Sequence, residues 1–139
     1  MVRQRSELLL VALALFVGVS ASSVAVAASD KAATTATVTV TVTVKEVFNK
    51  KLQETILVTG SGMTLYENTT ELKGKIHCTG SCRALWPPLL VPAGGKLSAG
   101  SGVSQSKLAT IKRPDGGSQV SYKGVPLYQF VSDKKAGEG

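Results

Sequence analysis

Histidine occurs once in this 139-residue chain, at position 77, tryptophan once, at position 86, and cysteine only at positions 78 and 82. A hydrolytic triad needs a base beside its nucleophile. His77 is the immediate neighbour of Cys78, and extended backbone sends adjacent side chains to opposite faces, so no Cys-His nucleophile pair is expected. Acidic residues number only nine, and no spacing among Glu67, Glu71, Asp115, Asp133 and Glu138 singles out two carboxylates for acid and base work. The glycine pairs Gly94-Gly95 and Gly116-Gly117 lack the Lys-Ser/Thr that completes a phosphate loop. The cysteine spacing matches neither Cys-x-x-Cys redox motifs nor Cys-x-x-Cys-His haem attachment. Neither an enzyme nor a bound cofactor is expected.

No cysteine precedes Cys78, so the thiol that would carry a lipid at a bacterial lipoprotein cleavage site is missing. What the N-terminus does contain is the three-part pattern of a secretory signal: Arg3 and Arg5, an apolar run from Leu8 to Val19, and the small-x-small site Ala25-Val26-Ala27. Residues 1–28 therefore read as a signal peptide forming a helix. The alternative is an uncleaved anchor, since Leu8 to Ala28 is apolar or small throughout, though Ser20, Ser22 and Ser23 weaken it. Cleavage near Ala28 takes two from the 16 basic residues and one from the nine acidic, leaving a net charge of about +6. The twelve lysines are scattered from Lys31 to Lys135 without a dense block, which argues against a nucleic-acid reader and for solubility with weak attraction to anionic envelope polymers.

Residues 29–45 follow as an Ala/Thr stretch and then Val38-Thr-Val-Thr-Val-Thr-Val44, whose strict alternation places every Val on one face of any strand. Two readings stand: an edge strand, or a tether that spaces the domain from the cell surface, with the tether favoured. The folded unit is expected over residues 46–139 as one domain. Within it, Thr55 to Thr59 and Met63 to Tyr66 form one hairpin around Gly60-Ser-Gly62. Gln119 to Tyr122 and Val125 to Val131 form another around Lys123-Gly124, where Gly124 can take positive φ at little cost. Pro126 marks an edge strand or a strand start. From Ser104 to Ile111 the pattern suggests a helical turn or a short strand. Short strands, frequent turns and no long amphipathic helix give an all-β class, a small antiparallel sandwich or barrel built from two related hairpin units.

Between the units lies His77-Cys-Thr-Gly-Ser-Cys-Arg-Ala-Leu-Trp-Pro-Pro-Leu89, which gathers the scarce residues into one segment. An exported domain meets an oxidising compartment, so a Cys78–Cys82 disulfide is the favoured reading, contributing about 2 kcal/mol for so short a loop. The alternative is an extracytoplasmic metal or redox centre in which His77, Cys78 and Cys82 act as soft ligands, with Met63 as a distant fourth.

The chain resembles the bacterial secreted repeats of unknown function, predicted lipoproteins with a Tyr-x-aromatic-x-x-Asp motif, from about Leu52 to Gly139. The residues that carry the resemblance are Ile56-Leu57-Val58, Gly62, Thr64-Leu65-Tyr66, Cys78, Gly80, Cys82, Trp86-Pro87-Pro88-Leu89, Arg113, Asp115-Gly116, Gln119-Val120, Tyr122, Gly124 and Pro126-Leu127-Tyr128. Tyr128, Phe130 and Asp133 complete the second signature, while the first has Asn68 for the aromatic and Glu71 for the Asp. The resemblance implies export and a β fold, with no activity and no catalytic residues to carry over.

A period of two sets Tyr128 and Phe130 on one strand face and places Asp133 at the strand end, able to accept backbone N–H bonds. Core packing is the favoured role. The alternative is an aromatic platform on which Tyr66, Trp86 and Tyr128 converge to bind a glycan or another planar ligand. Together these readings describe a non-enzymatic envelope or extracellular interaction module, with an envelope polymer or protein as partner and no membrane contact beyond the signal.

Overall fold

A computed structural model describes residues 38–139, so the signal peptide, its anchor alternative and the Ala/Thr stretch lie outside the described residues. The Val/Thr alternation becomes strand β1 (Thr41–Asn49). β1 pairs antiparallel with β2 (Glu54–Thr59) from Val44 to Asn49, and parallel with β5 (Lys96–Ala99) from Thr41 to Val44. It is thus the middle strand of a three-stranded sheet, order β2-β1-β5, and neither an edge strand nor a tether from Thr41 onward. The physical reason is burial. Val44 is fully buried among residues of the second sheet and Val42 packs against the same cluster, at about 25 cal/mol per Å² of apolar surface removed from water.

The second sheet contains β3 (Tyr66–Glu67), β4 (Leu90–Val91), β6 (Leu108–Lys112), β7 (Ser118–Tyr122) and β8 (Val125–Tyr128), in the order β3-β8-β7-β4 with β6 also on β7. The fold is all-β in two sheets and does not close into a barrel. One pairing departs from the antiparallel expectation. Between β2 and β5 the chain crosses through the second sheet, a connection long enough to return parallel to β1. The stretch expected as helical turn or strand is both, a 3-10 turn over Gln105–Lys107 leading into β6.

Lys123 and Gly124 join β7 to β8 with φ of 49° and 81°, the double positive φ that a two-residue type I′ turn demands. Pro126 pairs with β7 at Ser121, and contact with β3 begins only at Leu127, so the missing Pro N–H takes nothing from the β3–β8 ladder. Beyond Pro126 the β7–β8 hairpin splays and the Pro87-Pro88-Leu89 segment enters the gap. Pro88 bridges Tyr128, the Leu89 N–H donates to the Leu127 carbonyl at 3.0 Å, and the Leu89 carbonyl accepts from the Val120 N–H at 2.8 Å.

The first hairpin is shorter than its sequence suggests. β2 turns back at Gly60 to Gly62, and the Leu65 N–H donates to the Leu57 carbonyl at 2.9 Å. Tyr66 and Glu67 then leave β2 for β8, with Tyr66 opposite Tyr128 and Glu67 opposite Leu127. The two Leu-Tyr copies therefore lie against each other. Leu65 and Leu127 enter one core with Val44, Leu108, Val120 and Tyr122. Among the described residues no helix is long and apolar enough to cross a membrane.

Candidate functional site

Tyr66 and Tyr128 hold the same place in the two copies, and Glu71 and Asp133 each follow five residues later. Each carboxylate is bonded to the tyrosine of the other copy. The Tyr128 hydroxyl donates to Glu71 Oε2 at 2.6 Å, and the Tyr66 hydroxyl donates to Asp133 Oδ2 at 2.9 Å. The Glu at position 71 thus does the work of the Asp in the second copy. Asp133 does not take the following backbone N–H groups, as its strand-end position suggested, because those of Lys134 and Lys135 donate to Glu138 Oε2.

The two pairs differ in depth. Glu71 has no exposed surface, and its Oε1 also accepts the backbone N–H groups of His77 and Cys78, both at 2.6 Å. Three donors on one carboxylate are what keep a buried charge tolerable. The segment that leads to Glu71 is held in turn by Asn68, whose Oδ1 accepts the Thr70 N–H at 3.0 Å and caps the 3-10 turns of Thr69–Gly74. Arg113, also buried, grips the other side of Cys78. Its Nη2 donates to the Cys78 carbonyl at 2.8 Å, its Nη1 to Gln119 Oε1, and its Nε to Asp115 Oδ1 at 2.7 Å. Gln119 Nε2 completes the chain by donating to the Leu127 carbonyl at 2.8 Å.

Burial first, and the bond to Glu71 second, push the Tyr128 phenol up. The same order of causes, with Asp133 as partner, raises Tyr66 to about 12. The hydrogen bond from Arg113 draws the Asp115 carboxyl below its usual range.

Cys78 and Cys82 lie at disulfide distance with Cα atoms 5.2 Å apart. Gly80 between them takes φ 57°, and Cys82 opens the single helical turn α1 (Cys82–Leu85). His77 is exposed, and among the described residues no three His, Cys, Asp or Glu side chains are grouped to hold a metal ion. The metal-centre alternative on His77, Cys78 and Cys82 is therefore not supported: the sulfurs are spent on each other.

The aromatic side chains divide between the two roles considered for them. Tyr128 is 2% exposed and packs in the interior. Tyr66, Trp86 and Phe130 form a half-buried cluster, with Trp86 and Phe130 tilted by 33° and their centroids 4.7 Å apart, and Tyr66 meeting Trp86 at 5.4 Å in the edge-on geometry that ring quadrupoles favour. Pro87 and Pro88 hold Trp86 in place, since the Pro87 carbonyl accepts the Gln129 N–H at 2.8 Å and Pro88 bridges Tyr128. Beside this cluster lies a cavity of about 300 Å³ lined by Tyr66, Glu67, Asn68, Thr69, Cys78, Trp86 and Tyr128. Tyr66, Trp86 and Tyr128 do converge on it. Partial burial raises the Glu67 carboxyl, with the Lys123 charge pulling the other way.

Sequence reasoning passed over Glu71, Arg113 and Gln119 as site residues. Glu71 carried a usable signal, an acid at the position where the other copy has Asp133. Gln119 carried none beyond its motif position, because its role depends on the splayed hairpin. No curated protein and no solved structure matches the chain. Residues 109–139, from β6 through the Tyr128, Phe130 and Asp133 signature, match the family described as a secreted repeat of unknown function.

Proposed function

We propose that this protein is an exported, non-enzymatic interaction module that meets an envelope polymer or an extracellular protein through the aromatic-walled cavity at the β3–β8 junction. The observation that carries the reading is the convergence of Tyr66, Trp86 and Tyr128 on one cavity that Glu67, Asn68 and Thr69 also line. The Glu67 and Thr69 side chains take part in none of the bonds described above, and an apolar hollow with a few free polar groups is the ordinary form of a binding site. Export is supported by the family's description as secreted and by the signal pattern of residues 1–28. A local disulfide suits the same compartment. The surplus of lysine favours an anionic partner surface.

The test uses protein recovered from its own exported fraction without reducing agent. A mass matching cleavage near Ala28 and lighter by two hydrogens, with sedimentation alongside isolated envelope that Trp86→Ala weakens at least about tenfold, is the expected result. Retained metal with both thiols reduced would overturn it, as would envelope binding indifferent to Trp86.

A further inference from the structure

We propose that the cavity at Asn68 receives an aromatic ring carrying a hydrogen-bond donor, a phenol-type ring, in the place where the first copy lacks the aromatic side chain that the second copy has. The inference rests on the cavity being the contact site, and it names the chemistry of what enters. The crossed Tyr–carboxylate bonds make the two copies correspond residue for residue, so Asn68 corresponds to Phe130. Phe130 lies against the tyrosine of the other copy, meeting Tyr66 edge-on at 6.5 Å. The same relation would set an aromatic side chain at position 68 against Tyr128. Instead Asn68 and Tyr128 both border open space.

Size and lining agree with a ring. An apolar cavity of about 150 Å³ suffices to bind benzene, and about 300 Å³ leaves room for a substituent. Tyr66 and Trp86 offer partly exposed ring faces and edges above the buried Tyr128, and another aromatic ring is their best-matched partner. The donor follows from Glu67. This chain satisfies each of its three phenols with a carboxylate, Tyr66 with Asp133, Tyr122 with Glu46 and Tyr128 with Glu71. Glu67 is a further carboxylate, one that borders the cavity and has no phenol of its own.

The test follows the indole N–H resonance of Trp86, the only tryptophan, in the oxidised full-length domain. The probes are p-cresol, a blocked Gly-Tyr-Gly peptide and methyl glucoside. The expected result is a saturable shift with both phenols, abolished by Asn68→Phe and weakened at least about tenfold by Glu67→Gln. The second variant keeps the test decisive if losing the Asn68 cap unfolds the first. Tighter binding of the peptide supports the ring and assigns it to a tyrosine side chain of a partner, whereas equal binding supports it and assigns a free phenol. A methyl glucoside shift as large as that with p-cresol would overturn the ring, as would phenol shifts unchanged in both variants. Absence of any shift, with envelope sedimentation still dependent on Trp86, would overturn this inference and leave the interaction reading standing.

Discussion

Replacing Tyr128 by Phe removes one oxygen from the deeper of the two crossed bonds and leaves the ring where it is. Tyr128 is 2% exposed and Glu71 0%, so water cannot replace the lost donor without opening the interior. Glu71 would keep the N–H groups of His77 and Cys78 but lose its bond at 2.6 Å from the phenol. A hydrogen bond to an ionised group contributes about 1.5–3 kcal/mol. In a folded unit of this size each kcal/mol moves the midpoint by about 4–8 °C, so Tyr128→Phe should lower Tm by roughly 6–24 °C. Tyr66→Phe is the control, because Tyr66 and Asp133 are only half-buried and water can stand in. There the loss should be about 0.5–1.5 kcal/mol. Both are read by thermal unfolding followed by circular dichroism at neutral pH, with the disulfide intact. If Tyr128→Phe costs no more than Tyr66→Phe, the buried Glu71 does not depend on the phenol and the crossed-pair account of the interior is wrong.

Tyr66 also sets an alkaline limit. Its folded pKa of about 12 lies above the ordinary 10.0, so folding favours the neutral phenol, and that contribution is complete below about pH 10 and lost as pH rises through 12. Wild-type stability should therefore fall more steeply across that window than that of Tyr66→Phe, and parallel curves would contradict the assignment. Cys78→Ser with Cys82→Ser should remove about 2 kcal/mol by the loop-entropy estimate; unchanged denaturant midpoints would mean the pair is not structural. Gly62→Ala should destabilise by about 1–3 kcal/mol, since Gly62 sits at φ 92° with the Ala136 Cβ 3.0 Å from where a new methyl would stand. Gly80→Ala, at φ 57° with nothing within 4 Å, should cost less, and the reverse order would refute the packing argument.

The parts legible in the sequence are those fixed by a few adjacent residues. Lys123-Gly124 announces its turn because only certain residues accept two successive positive φ values. The close cysteine spacing likewise keeps its pairing local, whatever the surrounding fold. The parts that were not legible depend on which surface a segment meets. Val42 and Val44 alternate with Thr in a way that suits a tether as well as a strand until the apolar residues of the second sheet are there to cover them. Tyr66 reads as the end of a hairpin with β2, and nothing local tells it to pair with β8. The cavity at Asn68 is walled by Tyr66 to Thr69, Trp86 and Tyr128, segments that no local pattern brings together.

The exchange of partners between copies has a consequence for how the domain holds together. Neither copy can satisfy its own carboxylate: Glu71 needs Tyr128 and Asp133 needs Tyr66. A copy folded by itself would leave Glu71 buried without its phenol, or else expose it and open the core around Leu65. The cysteine loop ties the same parts together, because Glu71 from the first copy holds the N–H of Cys78 while Arg113, at the edge of the second, holds its carbonyl. Hydrogen bonds that cross between the copies in this way make each a condition of the other's stability, so unfolding should be a single cooperative event and not a stepwise loss of two repeats.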